Sequence, residues 1–112
     1  MSARLKITPT TRTLSYLQQR GWLCDVVERR ERYATYDCFG CWDILAIRLA
    51  GGASSLYPSV LLVQCTSNAH VSTRAKKCVA NPNTQSLLNC GVRCEVWGWS
   101  DGKADPRIVV LT

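Results

Sequence analysis

The stretch Val60-Leu61-Leu62-Val63-Gln64-Cys65-Thr66 begins with four apolar residues and then turns polar. A continuous apolar run of this length is typical of a strand that is buried on both faces in the middle of a sheet. We therefore predict a central strand from Tyr57 to Thr66. Because side chains alternate along a strand, Gln64 and Thr66 should point to the same face.

Two further strand-like runs precede this one, and an acidic residue lies at the edge of each. The run Trp22–Val27 is followed by Glu28, and the run Cys41–Leu49 contains Asp43 near its start. Strands that become polar at one defined point are candidates for holding a ligand there. Short connections between the three runs favour an antiparallel meander.

Helices flank this group of strands. Thr8 as N-cap, Pro9 at the first position and Gly21 beyond the end predict a helix over Thr10–Arg20. After the third strand, capping by Asn68 or Ser72 is expected for the next helix. The remaining predicted elements are helices over His70–Val79 and Thr84–Asn89 and strands over Arg93–Trp99 and Ile108–Leu111.

The resulting order, α-β-β-β-α-(α)-β-β, predicts an α/β fold with a mixed central sheet flanked by helices on both faces. A chain of 112 residues has room for one core, so we expect a single domain over residues 1–112. Residues 1–8 read as an extended N-terminal arm, and residues 51–55 as a turn of small residues.

The net charge of +6 favours an anionic partner, most simply nucleic acid. No acidic residue occurs between Asp43 and Glu95, an interval that contains several basic ones. The apolar runs are too short for a membrane helix, which needs about 20 residues, and we expect no membrane association.

Seven cysteines are present, an odd number, and the N-terminus lacks the apolar segment of a secretory signal. Cys24 and Cys65 lie inside apolar runs, where free cysteine behaves as a small hydrophobic residue. We therefore expect free cysteines in a reducing cytoplasm. An alternative is a four-cysteine zinc site formed by Cys38-Phe39-Gly40-Cys41 and Cys90–Cys94, as in a zinc-binding adaptor.

The order of elements and the spacing of Glu28, Asp43 and Gln64-Cys65-Thr66 resemble the PD-(D/E)XK nuclease superfamily. The resemblance covers about residues 9–99. Within the superfamily the chain is most similar to small phage or prophage nuclease-like proteins and to archaeal-type Holliday junction resolvases. It departs from the motif at Trp42, where Pro often precedes the Asp, and at Thr66, where Lys is usual.

The resemblance implies a restriction-endonuclease-like αβββαβ core and an Mg²⁺ or Mn²⁺ site. Its ligands would be Glu28, Asp43, Gln64 and the backbone carbonyl of Cys65, which are oxygen donors suited to a hard cation. Thr66 would position the attacking water but lacks the charge that Lys supplies. A basic residue of the following helix could compensate for this, and the candidates are Arg74, Lys76 and Lys77.

The implied function is a metal-dependent DNA endonuclease, or a nuclease-like DNA-binding protein, acting on branched or double-stranded DNA. The implied setting is a phage- or prophage-encoded protein in the bacterial cytoplasm, working as a homodimer on junctions without a small-molecule cofactor. The residues expected to contact DNA lie before the motif Asp or after the third strand: Tyr33, Tyr36, Ser67, Asn68, Arg74, Lys76 and Lys77.

A second interpretation is a catalytically inactive module of the same fold that binds nucleic acid or a host protein, in a phage accessory or inhibitor role. The simplest structural interpretation needs no ligand. In it, Glu28 is a surface acid paired with Arg29 or Arg30, Asp43 caps a turn, and Gln64 bonds to the backbone.

Overall fold

A five-stranded sheet organises the protein in a computed structural model that describes residues 7–49 and 58–112. The helices are α1 (Pro9–Gln19), α2 (Val71–Ala80) and α3 (Pro82–Asn89), and a 3₁₀ turn over Asn68–His70 precedes α2. The strands are β1 (Leu23–Val26), β2 (Arg29–Glu31), β3 (Ala34–Tyr36), β4 (Ile44–Leu49), β5 (Pro58–Ser67), β6 (Arg93–Trp99) and β7 (Arg107–Leu111). None of the described helices is long and apolar enough to cross a membrane.

The sheet has the order β1-β4-β5-β6-β7, and β2 and β3 form a separate hairpin. The strands β1, β4 and β5 are an antiparallel meander, as predicted. The chain then crosses over through α2 and α3, and β6 joins β5 in parallel. Finally β7 returns antiparallel to β6, so the mixed sheet expected from the order of elements is confirmed.

Helices cover both faces of this sheet. On one face, Leu17 of α1 packs into a cluster with Ile44, Val63 and Trp97. On the other face, Val71 of α2 packs with Leu62 and other apolar residues, and Leu87 and Leu88 of α3 lie against this second cluster. The two clusters therefore make β4, β5 and β6 the buried centre of the fold.

Local signals explain why α1 begins and ends where it does. The hydroxyl of Thr8 accepts from the backbone N–H of Thr11, whose own hydroxyl accepts from the N–H of Thr8. Pro9 occupies the first turn, and Gly21, just beyond the C-cap, has a φ of 84° that favours glycine. The predicted N-cap, first-turn proline and terminating glycine are thus confirmed, and the helix itself runs over Pro9–Gln19 rather than Thr10–Arg20.

Several boundaries differ from the sequence prediction. The second strand of the meander begins at Ile44 rather than Cys41, because Cys41 lies in a turn that is closed by hydrogen bonds between Cys38 and Trp42. The strand β5 continues through Ser67, and neither Asn68 nor Ser72 caps α2, whose N-cap is His70 without a side-chain bond. The predictions for residues 1–6, for the turn at 51–55 and for Tyr57 concern residues outside those that the structure describes.

The expectation that every cysteine is free is wrong for one pair. Cys41 and Cys78 form a disulfide with a Cα–Cα distance of 5.9 Å, and both residues are fully buried. The bond joins the turn before β4 to the last part of α2, across 37 residues of sequence. Disulfides are rare in reducing compartments, so this pair gives no support to a reducing cytoplasm.

Gly98 allows the chain to pack closely where β5 ends. A Cβ atom at this position would lie 1.9 Å from Cγ2 of Val71 and 3.0 Å from the Cα of Asn68. We expect Gly98→Ala to lower the free energy of unfolding by about 1–3 kcal/mol, because the start of α2 must move away from the sheet. Urea denaturation measures this change.

Val71→Ala provides the matched control for Gly98→Ala, since it removes the closest clashing atom. The double variant should lose less stability than the sum of the two single variants. Strict additivity would show that the contact between these positions is not what makes glycine necessary.

Candidate metal centre

Asp43 is held between two strands of the meander immediately before β4 begins. Its backbone N–H donates to the carbonyl of Val63 at 2.9 Å, and its carbonyl accepts from the N–H of Val27 at 2.8 Å. Because the residue after Val27 is Glu28, this second bond brings the first predicted acid to the side of the predicted motif Asp. The two acids thus converge, as the sequence predicted.

A third acid, Asp37, completes the group. One carboxylate oxygen from each of Glu28, Asp37 and Asp43 lies within 4.8 Å of the others. Asp43 is buried, and the other two acids are half-buried. Three carboxylates this close together repel one another when ionised, and a divalent cation relieves that repulsion.

Sequence reasoning missed Asp37 because it missed the β2–β3 hairpin. Arg29 pairs with Tyr36 in the hairpin, so Glu28 and Asp37 are the next opposed positions at its base. The turn at Arg32-Tyr33 contains no glycine, asparagine or aspartate, which are the usual signals for a tight turn. The alternation of side chains on either side of the turn was the remaining indication of a hairpin in the sequence, and such alternation is weak over strands of three residues.

The turn that carries Asp43 is fixed to the helices on the same side of the sheet. The side-chain amides of Asn81 and Asn83 both donate to the carbonyl of Phe39, at 2.8 and 3.2 Å. The disulfide between Cys41 and Cys78 adds a covalent connection two residues before Asp43. A carboxylate held in this way is positioned before any ligand arrives.

The Asp43 carboxylate is also fixed from β5. Its Oδ2 atom accepts from the side-chain amide of Gln64 and, at 2.8 Å, from the backbone N–H of Cys65. Burial raises the pKa of Asp43 from 3.8 to about 7, and the neighbouring Asp37 acts in the same direction. The two hydrogen bonds act in the opposite direction, because they stabilise the charged form.

Gln64 contacts Asp43, but this contact differs from the metal ligation that was predicted for Gln64. The side-chain nitrogen donates to Asp43, whereas Oε1 is buried without a hydrogen-bond partner among the described residues. An unpaired buried amide oxygen costs free energy unless something binds it. The structure therefore places an available oxygen donor beside the acids.

The backbone N–H of Cys65 bonds to Asp43, whereas its thiol lies on the face of the sheet that α1 covers. In a strand, the N–H and C=O of one residue point to the same side, so the Cys65 carbonyl faces the side of Asp43. The thiol packs near Thr10 and Thr13 of α1, and burial raises the pKa of Cys65. Only the carbonyl of this residue could be a metal ligand.

Thr66 is buried on β5 and lies opposite Gly98 of β6. The predicted DNA-contacting residues are divided between two places. Tyr33 and Tyr36 are exposed on the β2–β3 hairpin beside the acids. The others lie at the end of β5 or after it: Ser67 is its half-buried last residue, Asn68 is exposed in the 3₁₀ turn, and α2 carries half-buried Arg74 with exposed Lys76 and Lys77.

Two alternative interpretations lose support from these contacts. Cys41 is bonded to Cys78, which leaves it unable to join Cys38, Cys90 and Cys94 around zinc. Within residues 7–49 and 58–112, Glu28 forms no ion pair, while Arg29 pairs with Glu31 at 3.2 Å. Asp43 does more than cap a turn, because it joins β1, the turn and β5.

Comparisons with known proteins add no independent assignment: no family model, curated protein or solved structure matches this chain. The acids, the neighbouring amide and the charges around them are therefore the features that indicate a function. Together these groups offer clustered oxygen atoms, which is the donor set of a divalent cation site.

Proposed function

We propose that the protein is a metal-dependent DNA endonuclease of the PD-(D/E)XK type. The observation that carries this proposal is the convergence of Glu28, Asp37 and Asp43 within 4.8 Å of one another. The side-chain nitrogen of Gln64 donates to the Asp43 carboxylate, and its buried Oε1 has no hydrogen-bond partner in the part of the chain that the structure describes. Hard oxygen donors without nitrogen or sulfur favour Mg²⁺ or Mn²⁺ over zinc.

The topology supports the proposed restriction-endonuclease-like core. A helix precedes a three-stranded antiparallel meander, and a helical crossover leads to a strand parallel to the third. Glu28 follows the first strand of the meander and Asp43 comes just before the second, which supports the roles that the resemblance implies for these two acids. Gln64 lies on the third strand, and its side-chain amide donates to the Asp43 carboxylate.

The acids and the neutral oxygen donors would have different roles in the proposed chemistry. Asp43 and Glu28, with Asp37, would hold the cation, and Gln64 Oε1 and the Cys65 carbonyl are the neutral oxygen donors nearby. A bound divalent cation supplies a more acidic water and neutralises charge at phosphorus. In hydrolysis the water oxygen bonds to phosphorus, the ester bond breaks, and the leaving oxygen takes up a proton.

A nuclease-fold module that binds DNA without cutting it is the second candidate, and Thr66 favours it. The position that usually carries Lys is a neutral residue that is only 6% exposed. Loss of one charge-stabilising group costs about 10²–10³ in rate by analogy with single oxyanion donors. Arg74, Lys76 and Lys77 on the following helix remain the candidates for supplying that charge.

DNA is the proposed substrate because the protein carries a net charge of +6 despite its acid cluster. Phosphate contacts by basic residues dominate non-specific affinity for DNA. If the substrate is a junction, symmetric cutting of two strands would require a homodimer.

The test is cleavage of labelled linear duplex, single-stranded and four-way-junction DNA with Mg²⁺ or Mn²⁺. We expect Asp43→Ala and Glu28→Gln to reduce cleavage by about 100-fold or more, because each removes a charged metal ligand. Asp25→Asn is the matched control, since Asp25 is an exposed acid of β1 whose carboxylate accepts from the N–H of Val26.

The outcomes separate the two candidates. Cutting by the wild type that is lost with Asp43→Ala and kept with Asp25→Asn would establish the nuclease. DNA binding without cutting, unchanged by Asp43→Ala, would establish the inactive module. Absence of both metal binding and DNA binding would overturn the proposal.

A further inference from the structure

The β2–β3 hairpin stands apart from the rest of the fold. It is hydrogen bonded to no strand of the five-stranded sheet, and every residue from Arg29 to Tyr36 is exposed. A two-stranded hairpin alone in water is marginally stable at best. Tyr33 at its tip is 89% exposed, so folding gains little from placing an aromatic residue there.

The charges of the hairpin indicate what it binds. It carries three arginines and one glutamate, and Glu31 pairs with Arg29 at 3.2 Å. Arg29 also lies over the ring of Tyr36, with 5.2 Å to the centroid. Arg30 and Arg32 form no ion pair within the described part of the chain.

The arginines and tyrosines of the hairpin are distributed over its two faces and its tip. The register opposes Arg30 to Thr35, and this pair points away from the face that carries Arg29 and Tyr36. Arg32 and Tyr33 form the tip, where the guanidinium lies 5.5 Å from the ring centroid. The two arginines without an ion pair in the described part of the chain therefore lie on one face, Arg30, and at the tip, Arg32.

The dimensions of the hairpin match a groove of duplex DNA. Strands of three residues rise about 10 Å, and the major groove is about 8.5 Å deep and about 12 Å wide, enough for a two-stranded ribbon. A hairpin inserted to this depth would bring its tip to the base edges. Its base would remain at the level of the phosphates.

The base of the hairpin is part of the acid cluster. Glu28 precedes β2 directly and Asp37 follows β3 directly, and both contribute to the group around Asp43. We propose that the β2–β3 hairpin enters the major groove of double-stranded DNA and thereby brings a backbone phosphate to the acid cluster. This inference rests on the proposed function for its final step, although groove binding by the hairpin does not.

The experiment compares two charge-matched double variants in duplex binding, with Ca²⁺ replacing Mg²⁺ to slow cleavage. Arg30→Ala with Arg32→Ala should weaken binding by about tenfold or more, because each arginine contact to DNA is strong. The control, Lys103→Ala with Arg107→Ala, removes the same charge from exposed residues near β7, at the opposite edge of the sheet. It should change affinity by less than about threefold, through long-range electrostatics alone.

Equal losses in the two double variants would overturn the hairpin inference, and so would unchanged duplex binding after the hairpin substitutions. A loss of affinity for single-stranded DNA that exceeds the loss for duplex DNA would overturn it as well. All substituted hairpin residues are exposed, so a thermal melt should show unchanged folding. Failure of the nuclease proposal would appear separately, as absent cleavage with the hairpin effect retained.

Discussion

Replacing Asp43 with asparagine is expected to stabilise the metal-free protein at about pH 8, by as much as about 4 kcal/mol. Burial raises the pKa of Asp43 to about 7 from 3.8, so the folded protein binds this proton more tightly than the unfolded chain does. The stability that the folded protein gains from holding this proton is fully present below about pH 4 and is lost as the pH rises through about 7. Asparagine keeps an oxygen acceptor and cannot ionise.

The measurement is chemical denaturation in a chelator at about pH 5 and about pH 8. The wild type should lose stability between these values relative to Asp43→Asn, and Asp25→Asn should behave as the wild type. The variants Asp43→Asn and Asp25→Asn also test whether a cation binds at the acid cluster. A metal that binds only the folded protein adds about 2.7 kcal/mol at about 100-fold excess over Kd, and Asp43→Asn should lose that gain.

An asparagine variant that is less stable than the wild type at both pH values would contradict this account. Such a result would mean that the carboxylate is ionised at low cost and that its bonds to Gln64 and Cys65 stabilise the fold. Metal stabilisation that survives the substitution would instead place the cation elsewhere.

Removing the disulfide with Cys41→Ala and Cys78→Ala is expected to lower the free energy of unfolding by about 3–4 kcal/mol. The bond closes a loop with a sequence separation of 37 and lies within the buried cluster beneath α2. Its loss gives the unfolded chain more conformational freedom. It also releases the turn that carries Asp43.

Urea denaturation with and without a thiol reductant checks this prediction. Reductant should bring the wild type close to the double variant and leave the double variant unchanged. Cys90→Ser is the matched control, because Cys90 is a free and exposed cysteine. A wild type that is equally stable with and without reductant would show that the pair does not constrain the chain.

The elements predicted correctly are those with strong local signals. The boundaries of β6 agree with the sequence prediction, and its alternation places Val96 on one face and Trp97 on the other. The start of α1 follows from Thr8 and Pro9, whose capping roles depend on neighbours within one turn. In these segments, local preference and tertiary packing agree.

The features that were missed depend on contacts between distant parts of the chain. Nothing near Cys41 indicates that its partner lies 37 residues further on. Asp37 becomes part of the site only because the hairpin returns the chain to Glu28. Alternation predicted that Gln64 and Thr66 share a face, but it could not show that the Gln64 amide would bond to the Asp43 carboxylate.

The pairing at the base of the β2–β3 hairpin also defines which changes in length the protein can tolerate. Lengthening both strands by one residue at the Arg32-Tyr33 tip would extend the ribbon and keep Glu28 opposite Asp37. A single inserted residue in one strand would reverse the faces of all residues beyond it. Paired insertions would thus change the length of the hairpin while Glu28 and Asp37 at its base stay in register.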